Sequence, residues 1–243
     1  MRSFHARDLA QLDATVLARA RAVVAMREIH AGARAADVIG LRHDVDDNPG
    51  ALATAVKLAG WEAVRGYRST YFILHGARYW RDERTLRPAL EAIAAAGHEI
   101  GIHANALALA LRAGGDPSEI LHAAIERLRG YGFPVVGVAP HGDKACHRAG
   151  FVNDELFADC ARPQLGAPDR TLTLDGRTVK LAPQPLTDFG LLYETYRLPH
   201  GRYLSDSGGA WNVPLQSIAD KPGQPGQLHI LQHPDWWSQV FTG

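Results

Sequence analysis

No sign of charge prevails in this chain, in which 26 Lys and Arg balance 26 Asp and Glu. That balance removes the broad field that draws a protein to nucleic acid or to an anionic membrane surface. Only two cysteines occur, Cys146 and Cys160, and they form no C-x-x-C pair. A disulfide framework is thereby excluded, and a reducing compartment fits. No uncharged stretch approaches the roughly 18 apolar residues of a membrane span. The opening Met1-Arg2-Ser3-Phe4-His5-Ala6-Arg7-Asp8 holds no apolar segment, so no signal peptide is expected and the chain reads as soluble and cytoplasmic. Repeats, linkers and low-complexity tracts are also missing, which favours a single domain over 1–243. What remains is 243 residues of ordinary globular composition, 46% apolar and 21% charged, ample for one large α/β core.

The apolar pattern sets the elements. Leu9, Leu12, Val16, Leu17, Val23, Val24 and Met26 recur at helical spacings, predicting a helix from about 8 to 30 that covers one end of the fold. Val38, Ile39 and Leu41 lead a strand into Asp44 and Asp46, and a helix follows over 49–65. Ser69 to His75 is rich in aromatic and branched residues and predicts a strand. A helix over 82–96 ends at Gly97, and His98 to His103 is a short strand. Asp116-Pro117-Ser118-Glu119 opens a helix that runs to about Arg129. A strand over 135–139, a helix over 153–161, short strands over 191–193 and 203–206, a loop over 222–226 and a strand over 228–233 complete the alternation. Alternation around Asp175-Gly176 predicts a β-hairpin excursion at about 171–181. Strand–helix alternation of this length predicts a parallel sheet in an α/β fold, and a (β/α) barrel over an open sheet.

Histidine is abundant, at 12 residues, and its placement matters more than its number. Asp44 with Asp46, His75, His103, His141, Asp206 and His233 each fall at the C-terminal end of a predicted strand. In a parallel barrel those ends share the face that carries active sites. Asp44 and Asp46 point to one side of their strand, and a bound cation offsets their repulsion. Asp47 and Asn48 read instead as the cap of the helix behind Pro49. Asp and His donors suit a divalent metal, zinc first, with nickel, cobalt or iron open. Metal-bound water attacks a carbonyl near neutral pH, provided a base and an acid stand by. Asp44 is placed for the base and His233 for the acid.

These residues resemble the motifs of the polysaccharide deacetylase family, carbohydrate esterase family 4 or the NodB homology domain, from about Val38 to Trp237. Arg42-His43-Asp44-Val45-Asp46 is similar to its first motif, which implies Asp44 as base and Asp46 as metal ligand. Gly97 to His103 resembles the second, placing His103 on the first ligand His, and Val138-Ala139-Pro140-His141-Gly142 the third, whose backbone helps bind the oxyanion. Tyr203 to Trp211 resembles the Asp-containing fourth, and Ile230 to His233 the last, whose His is the general acid. The resemblance implies a distorted (β/α) barrel that removes acetyl groups from N-acetylated sugars with a divalent metal.

Two positions depart from the pattern. The second ligand His falls on Leu107, and the Arg near the third motif falls on Val138. His141 is therefore assigned as the third ligand beside Asp46 and His103. Around this set, His43 is expected to support the cluster from behind, His75 to stand at the site's edge, and Gly142 to offer its backbone N–H. Asp206 orients His233, binds substrate hydroxyls or caps a turn. Trp236, with Trp237, walls a pocket and stacks on a sugar ring, or packs. His98 and Cys146 are expected to pack rather than ligate. The expected activity is metal-dependent removal of an acyl group, N-acetyl first, from a small-molecule or oligosaccharide substrate, with no nucleic-acid partner. The rival expectations are a non-catalytic carbohydrate-binding relative in surface-polysaccharide assembly, and an amidohydrolase on a non-sugar amide.

Overall fold

The computed structural model describes residues 3–33, 35–160, 170–219 and 227–241, so the predicted loop over 222–226 lies outside the described residues. The chain groups into two compact units, one of residues 1–73, 77–100 and 198–243, the other of 74–76 and 101–197. Among the described residues no helix is long and apolar enough to cross a membrane.

The first unit is α/β with parallel pairing. Its elements are α1 (Ala6–Thr15), β1 (Ala22–Val24), α2 (Met26–His30), β2 (Val38–Val45), α3 (Ala51–Val64), β3 (Thr70–Leu74) and α4 (Glu83–Ala95), and later in the chain β9 (Arg202–Ser205), α8 (Leu215–Ala219), β10 (Leu228–Gln232) and a 3₁₀ segment Pro234–Phe241; α5–α7, β5–β8 and most of β4 belong to the second unit. All eight residues of β2 are buried, as expected of a strand covered on both faces. β1 pairs with Val38–Gly40 and β3 with Arg42–Val45, so the two share one edge of β2 in succession. β10 pairs with β2 through Gln232↔His43, and with β9 through Leu231↔Ser205. Because these pairings are parallel, Asp44, Asp206 and His233 leave their strands at the same end. Leu9 and Leu12 of α1, with Ile39, Leu41, Leu58, Leu204, Ile230 and Trp237, form the apolar core beneath them.

The predicted helix over 8–30 is corrected. α1 stops at Thr15, and after a 3₁₀ turn at Leu17–Arg19 the chain enters β1. Val23 is buried between half-buried neighbours, the alternation of an edge strand, and the Val38–Gly40 stretch of β2 supplies the ladder. Tertiary pairing here overrides a helical spacing that the apolar residues happen to satisfy.

The second unit holds the rest of β4 (Glu99–Ala104), then α5 (Ala106–Ala113), α6 (Pro117–Gly130), β5 (Gly137–Pro140), α7 (Lys144–Ala149), β6 (Thr171–Leu174), β7 (Arg177–Lys180) and β8 (Tyr193–Glu194). β4 pairs in parallel with β5 through His103↔Ala139, and β5 with β8. β6 and β7 pair antiparallel around Asp175-Gly176. Asp116 caps α6 by accepting from the Ser118 and Glu119 amides at 2.8 and 3.1 Å. α5 was not anticipated, and the helix expected over 153–161 is instead a pair of 3₁₀ turns, Asn153–Leu156 and Ala158–Cys160. There the Val152 amide donates to the Glu155 side chain at 2.8 Å, and the Asn153 side chain bonds the His141 carbonyl, side-chain partners that compete with a helix.

Gly137 shows why one position in β5 has no side chain. A Cβ there would lie 2.2 Å from the ring of Tyr193, which is itself 3% exposed. Gly137→Ala is expected to cost about 1–3 kcal/mol of stability by overpacking. Urea unfolding checks this, and an unchanged midpoint would contradict the packing.

Candidate active site

In the first unit the acids of β2 are divided by their partners. Asp44 is 2% exposed, with its Oδ2 3.6 Å from Nη2 of the equally buried Arg42. The same Nη2 donates to the Tyr203 hydroxyl at 3.3 Å. Asp46 is half-buried. Asp47 accepts from the backbone N–H and Nε of Arg78 at 2.7 and 3.1 Å, and Asn48 donates to Asp235 at 2.7 Å. Neither caps α3, whose N-cap is Gly50 at φ 80 with no side-chain bond. The capping expectation gives way because both side chains tie the β2–α3 loop to neighbouring loops instead.

His233 leaves β10 directly onto Asp206. Its Nδ1 lies 2.6 Å from Asp206 Oδ1, and its backbone N–H donates to both carboxylate oxygens at 3.1 and 3.0 Å. Trp237 Nε1 donates to Asp206 Oδ2 at 2.7 Å. Burial alone would lower the His233 pKa, but the Asp206 hydrogen bond and the charges of Asp206, Asp44 and Asp46 raise it from 6.5 to about 9. Of the alternatives for Asp206, this geometry is that of an orienting partner. The indole that reaches the cluster is Trp237, fully buried and stacked on Phe4 at 4.3 Å. Trp236, expected to wall a pocket, is half-buried and packs against the apolar core.

Two acids escaped the sequence reading. Asp235 follows His233 by two residues, and burial with the charge of Asp46 pushes its carboxyl up to about 6. No motif or strand end marks it. Glu62 is fully buried on α3, where a Glu on an apolar helix face was the one available signal. It meets His43 Nε2 at 2.6 Å and accepts from the Ser69 and Tyr71 hydroxyls at 2.7 and 3.1 Å. Burial pushes this carboxyl up, but His43 and His98 outweigh it and hold it below its ordinary range. His43 thus faces Glu62 and stacks on Tyr71 at 4.3 Å. His98 accepts the Ser69 amide on Nδ1 at 3.2 Å and meets the Ala59 carbonyl through Nε2 at 2.9 Å, so both ring nitrogens are engaged in packing roles. Glu62→Ala would leave these buried partners uncompensated, with an expected cost of about 3–5 kcal/mol. Chemical denaturation showing a loss below about 1 kcal/mol would dismiss the network as a structural anchor.

In the second unit His103 and His141 meet. His103 Nδ1 lies 2.8 Å from the Ala139 carbonyl, so Nδ1 carries the proton and Nε2 the lone pair. That Nε2 is 3.0 Å from His141 Nδ1, with the two rings nearly perpendicular at 79°. A backbone carbonyl fixing the remote nitrogen of an imidazole is the usual support of a metal-ligating His. His75 stands differently. Its Nε2 accepts the Asn105 amide at 2.8 Å, and burial, with His103 and His141 beside it, lowers its pKa from 6.5 to about 3. It is a neutral imidazole whose Nε2 lone pair is already used. Leu107 is fully buried on α5 and belongs to that helix's packing face. Val138 is fully buried in β5. The His141 N–H donates to the Ala104 carbonyl at 2.8 Å, which leaves the exposed Gly142 as the backbone donor of that pair. Asp143 accepts from Asn105 Nδ2 at 2.9 Å and Arg112 Nη1 at 2.7 Å, bracing the loop that carries His141. Cys146 is buried, which pushes its thiol up to about 11, in keeping with a packed residue.

No family model matches the chain, and no curated protein matches it. Among solved structures, a family 4 carbohydrate esterase from Bacillus anthracis is similar at 15% identity, over 81% of this chain and 67% of the other, with a TM-score of 0.38.

Proposed function

We propose that the protein is a metal-dependent hydrolase that removes an acyl group, N-acetyl first, from a carbohydrate or sugar-containing precursor, with Asp46, His103 and His141 as the metal ligands. The observation that carries this reading is the His103–His141 pair. Its nitrogens are separated by 3.0 Å, and His103 is held in the tautomer a ligand requires. Two imidazole nitrogens that would share one tetrahedral zinc at roughly 2.0–2.1 Å would stand about 3.3 Å apart, a few tenths of an ångström from the separation seen here. One carboxylate and two imidazoles suit zinc, nickel, cobalt or iron better than magnesium or calcium.

A divalent ion held there would make a water acidic near neutral pH and would polarise a carbonyl. Asp44, kept in place by Arg42, would be the base that takes a proton from the attacking water. The Gly142 N–H donates to the carbonyl oxygen as charge builds on it. His233, charged through Asp206, passes a proton from Nε2 to the departing nitrogen. The balance is simple: water adds across the C–N bond, giving a carboxylic acid and an amine. Amine release from N-acetylated sugars and from non-sugar amides, assayed beside metal content in protein purified without a His tag, tests the proposal. Absence of both metal and amine release would overturn it in favour of a non-catalytic binding protein.

A further inference from the structure

Within the second unit, α5 begins and ends on the same carboxylate. Asn105, at its N-cap, donates Nδ2 to Asp143 Oδ2 at 2.9 Å. Arg112, in its last turn, donates Nη1 to the same oxygen at 2.7 Å and Nη2 to Oδ1. Seven positions separate the two donors, which puts them on one face of the helix. Asp143 is 6% exposed and stands two residues after His141, so the loop that carries His141 is clasped to both ends of α5. Asn105 Oδ1 in turn accepts from Asn153 Nδ2 at 2.9 Å, and that same amide donates to the His141 carbonyl at 2.8 Å. With the His141 N–H bonded to the Ala104 carbonyl, both backbone groups of this residue have fixed partners.

The clasp is made at the expense of a local rule. An Asn at an N-cap ordinarily turns its side-chain oxygen to the amides of the first turn. Asn105 makes no such bond, because its side chain is committed to Asp143 and Asn153. Local rules are broken in this way where a site needs the side chain elsewhere. α5 contributes Leu107 to packing, so its part in the site is to hold the His141 loop. We propose that Asn105, Arg112 and Asp143 are positioning residues that preset His141 for metal binding, acting through the backbone of its loop. The inference rests on the proposed function in one respect, that His141 is a ligand. Asp143 also caps α7 by accepting the Ala145 amide at 2.8 Å. A residue that served α7 alone would leave His141 undisturbed when Asn105 or Arg112 is changed.

Two measurements on tag-free protein test the clasp. Zinc affinity is read by competition with a chelating dye. The ring-nitrogen NMR signals of His103 and His141, assigned with His103→Ala and His141→Ala, are recorded on metal-free protein. They report whether the two nitrogens, 3.0 Å apart, stay in contact. Asn105→Ala and Arg112→Met are expected to weaken zinc binding about 10- to 100-fold, the range for loss of a supporting partner, and to shift both ring signals. Arg112→Lys, which replaces a two-pronged contact by a single cation, is expected to recover part of the affinity. Thermal unfolding establishes that each variant is folded at the temperature of measurement, and Arg112, at the surface, carries the test if Asn105→Ala does not fold. Native zinc affinity, or native ring signals, in either folded variant would overturn the assignment. Native protein that binds no zinc would sink the hydrolase reading instead, and the ring signals of the metal-free variants would then decide the clasp alone.

Discussion

His141→Ala is expected to leave the protein unable to retain its divalent metal, with occupancy falling from near-stoichiometric to background and hydrolysis falling with it. The reason lies in the hydrogen bonds of the pair. His103 spends Nδ1–H on the Ala139 carbonyl at 2.8 Å, so the nitrogen it turns to His141 is a lone-pair donor. His141 Nδ1 faces that lone pair at 3.0 Å, and in the tautomer that keeps its proton on Nε2 it would offer a second lone pair to a divalent ion. Removing His141 takes away one of the three proposed ligands. Because loss of a merely supporting partner already weakens metal binding by about 10- to 100-fold, loss of a ligand should exceed that. His103→Ala should behave in the same way. His75→Ala, in contrast, should keep its metal, since His75 Nε2 is occupied by the Asn105 amide. Elemental analysis of tag-free protein after dialysis makes the measurement. Metal retained by His141→Ala at the native level would sink the three-ligand assignment.

The parts of the fold that could be read from residues were those governed by local rules. β2 shows itself through Val38, Ile39 and Leu41 followed by acids, and α6 through Asp116-Pro117 with its capping bonds. β6 and β7 follow from alternation around Asp175-Gly176. The failures came where a distant partner decided the outcome. β1 is a strand only because the edge of β2 at Val38–Gly40 receives it. Glu62 and His43 were not paired in advance, because 19 residues separate them and nothing local predicts a 2.6 Å contact. Asp235 lies in the 3₁₀ segment after β10, without a motif, and is bonded to Asn48, 187 positions away. Trp236 and Trp237 are adjacent, and only the turn of the 3₁₀ segment after Pro234 decides which indole reaches Asp206. Residue type and strand-end position thus identify candidates, whereas hydrogen-bond partners assign each one its task.

The Asp206–His233 pair should set the alkaline limit of activity. The acid that protonates a leaving nitrogen must hold its proton at the working pH, and His233 is raised from 6.5 to about 9. Native activity is therefore expected to persist through neutral pH and to fall as pH rises through about 9. Among the influences that raise it, the Asp206 hydrogen bond stands first, ahead of the charges of Asp44 and Asp46. An ion bound at Asp46 would offset that residue's charge but would leave the 2.6 Å bond from Nδ1 in place. Asp206→Asn keeps an acceptor for the Trp237 indole and removes the charge, so the alkaline limb should move down towards the ordinary 6.5. His233→Ala should lower kcat by about 10²- to 10⁴-fold without releasing metal. Stability follows the same sign: a histidine raised on folding contributes most below pH 6.5, and loses that contribution as pH climbs through 9. At roughly 1.4 kcal/mol per pKa unit the contribution is on the order of 3 kcal/mol, and urea titrations at pH 6 to 10 should show native stability declining while Asp206→Asn stays flatter. A pH–rate profile in which Asp206→Asn keeps its alkaline limb at the native position would show that Asp206 holds the loop and leaves the proton of His233 untouched.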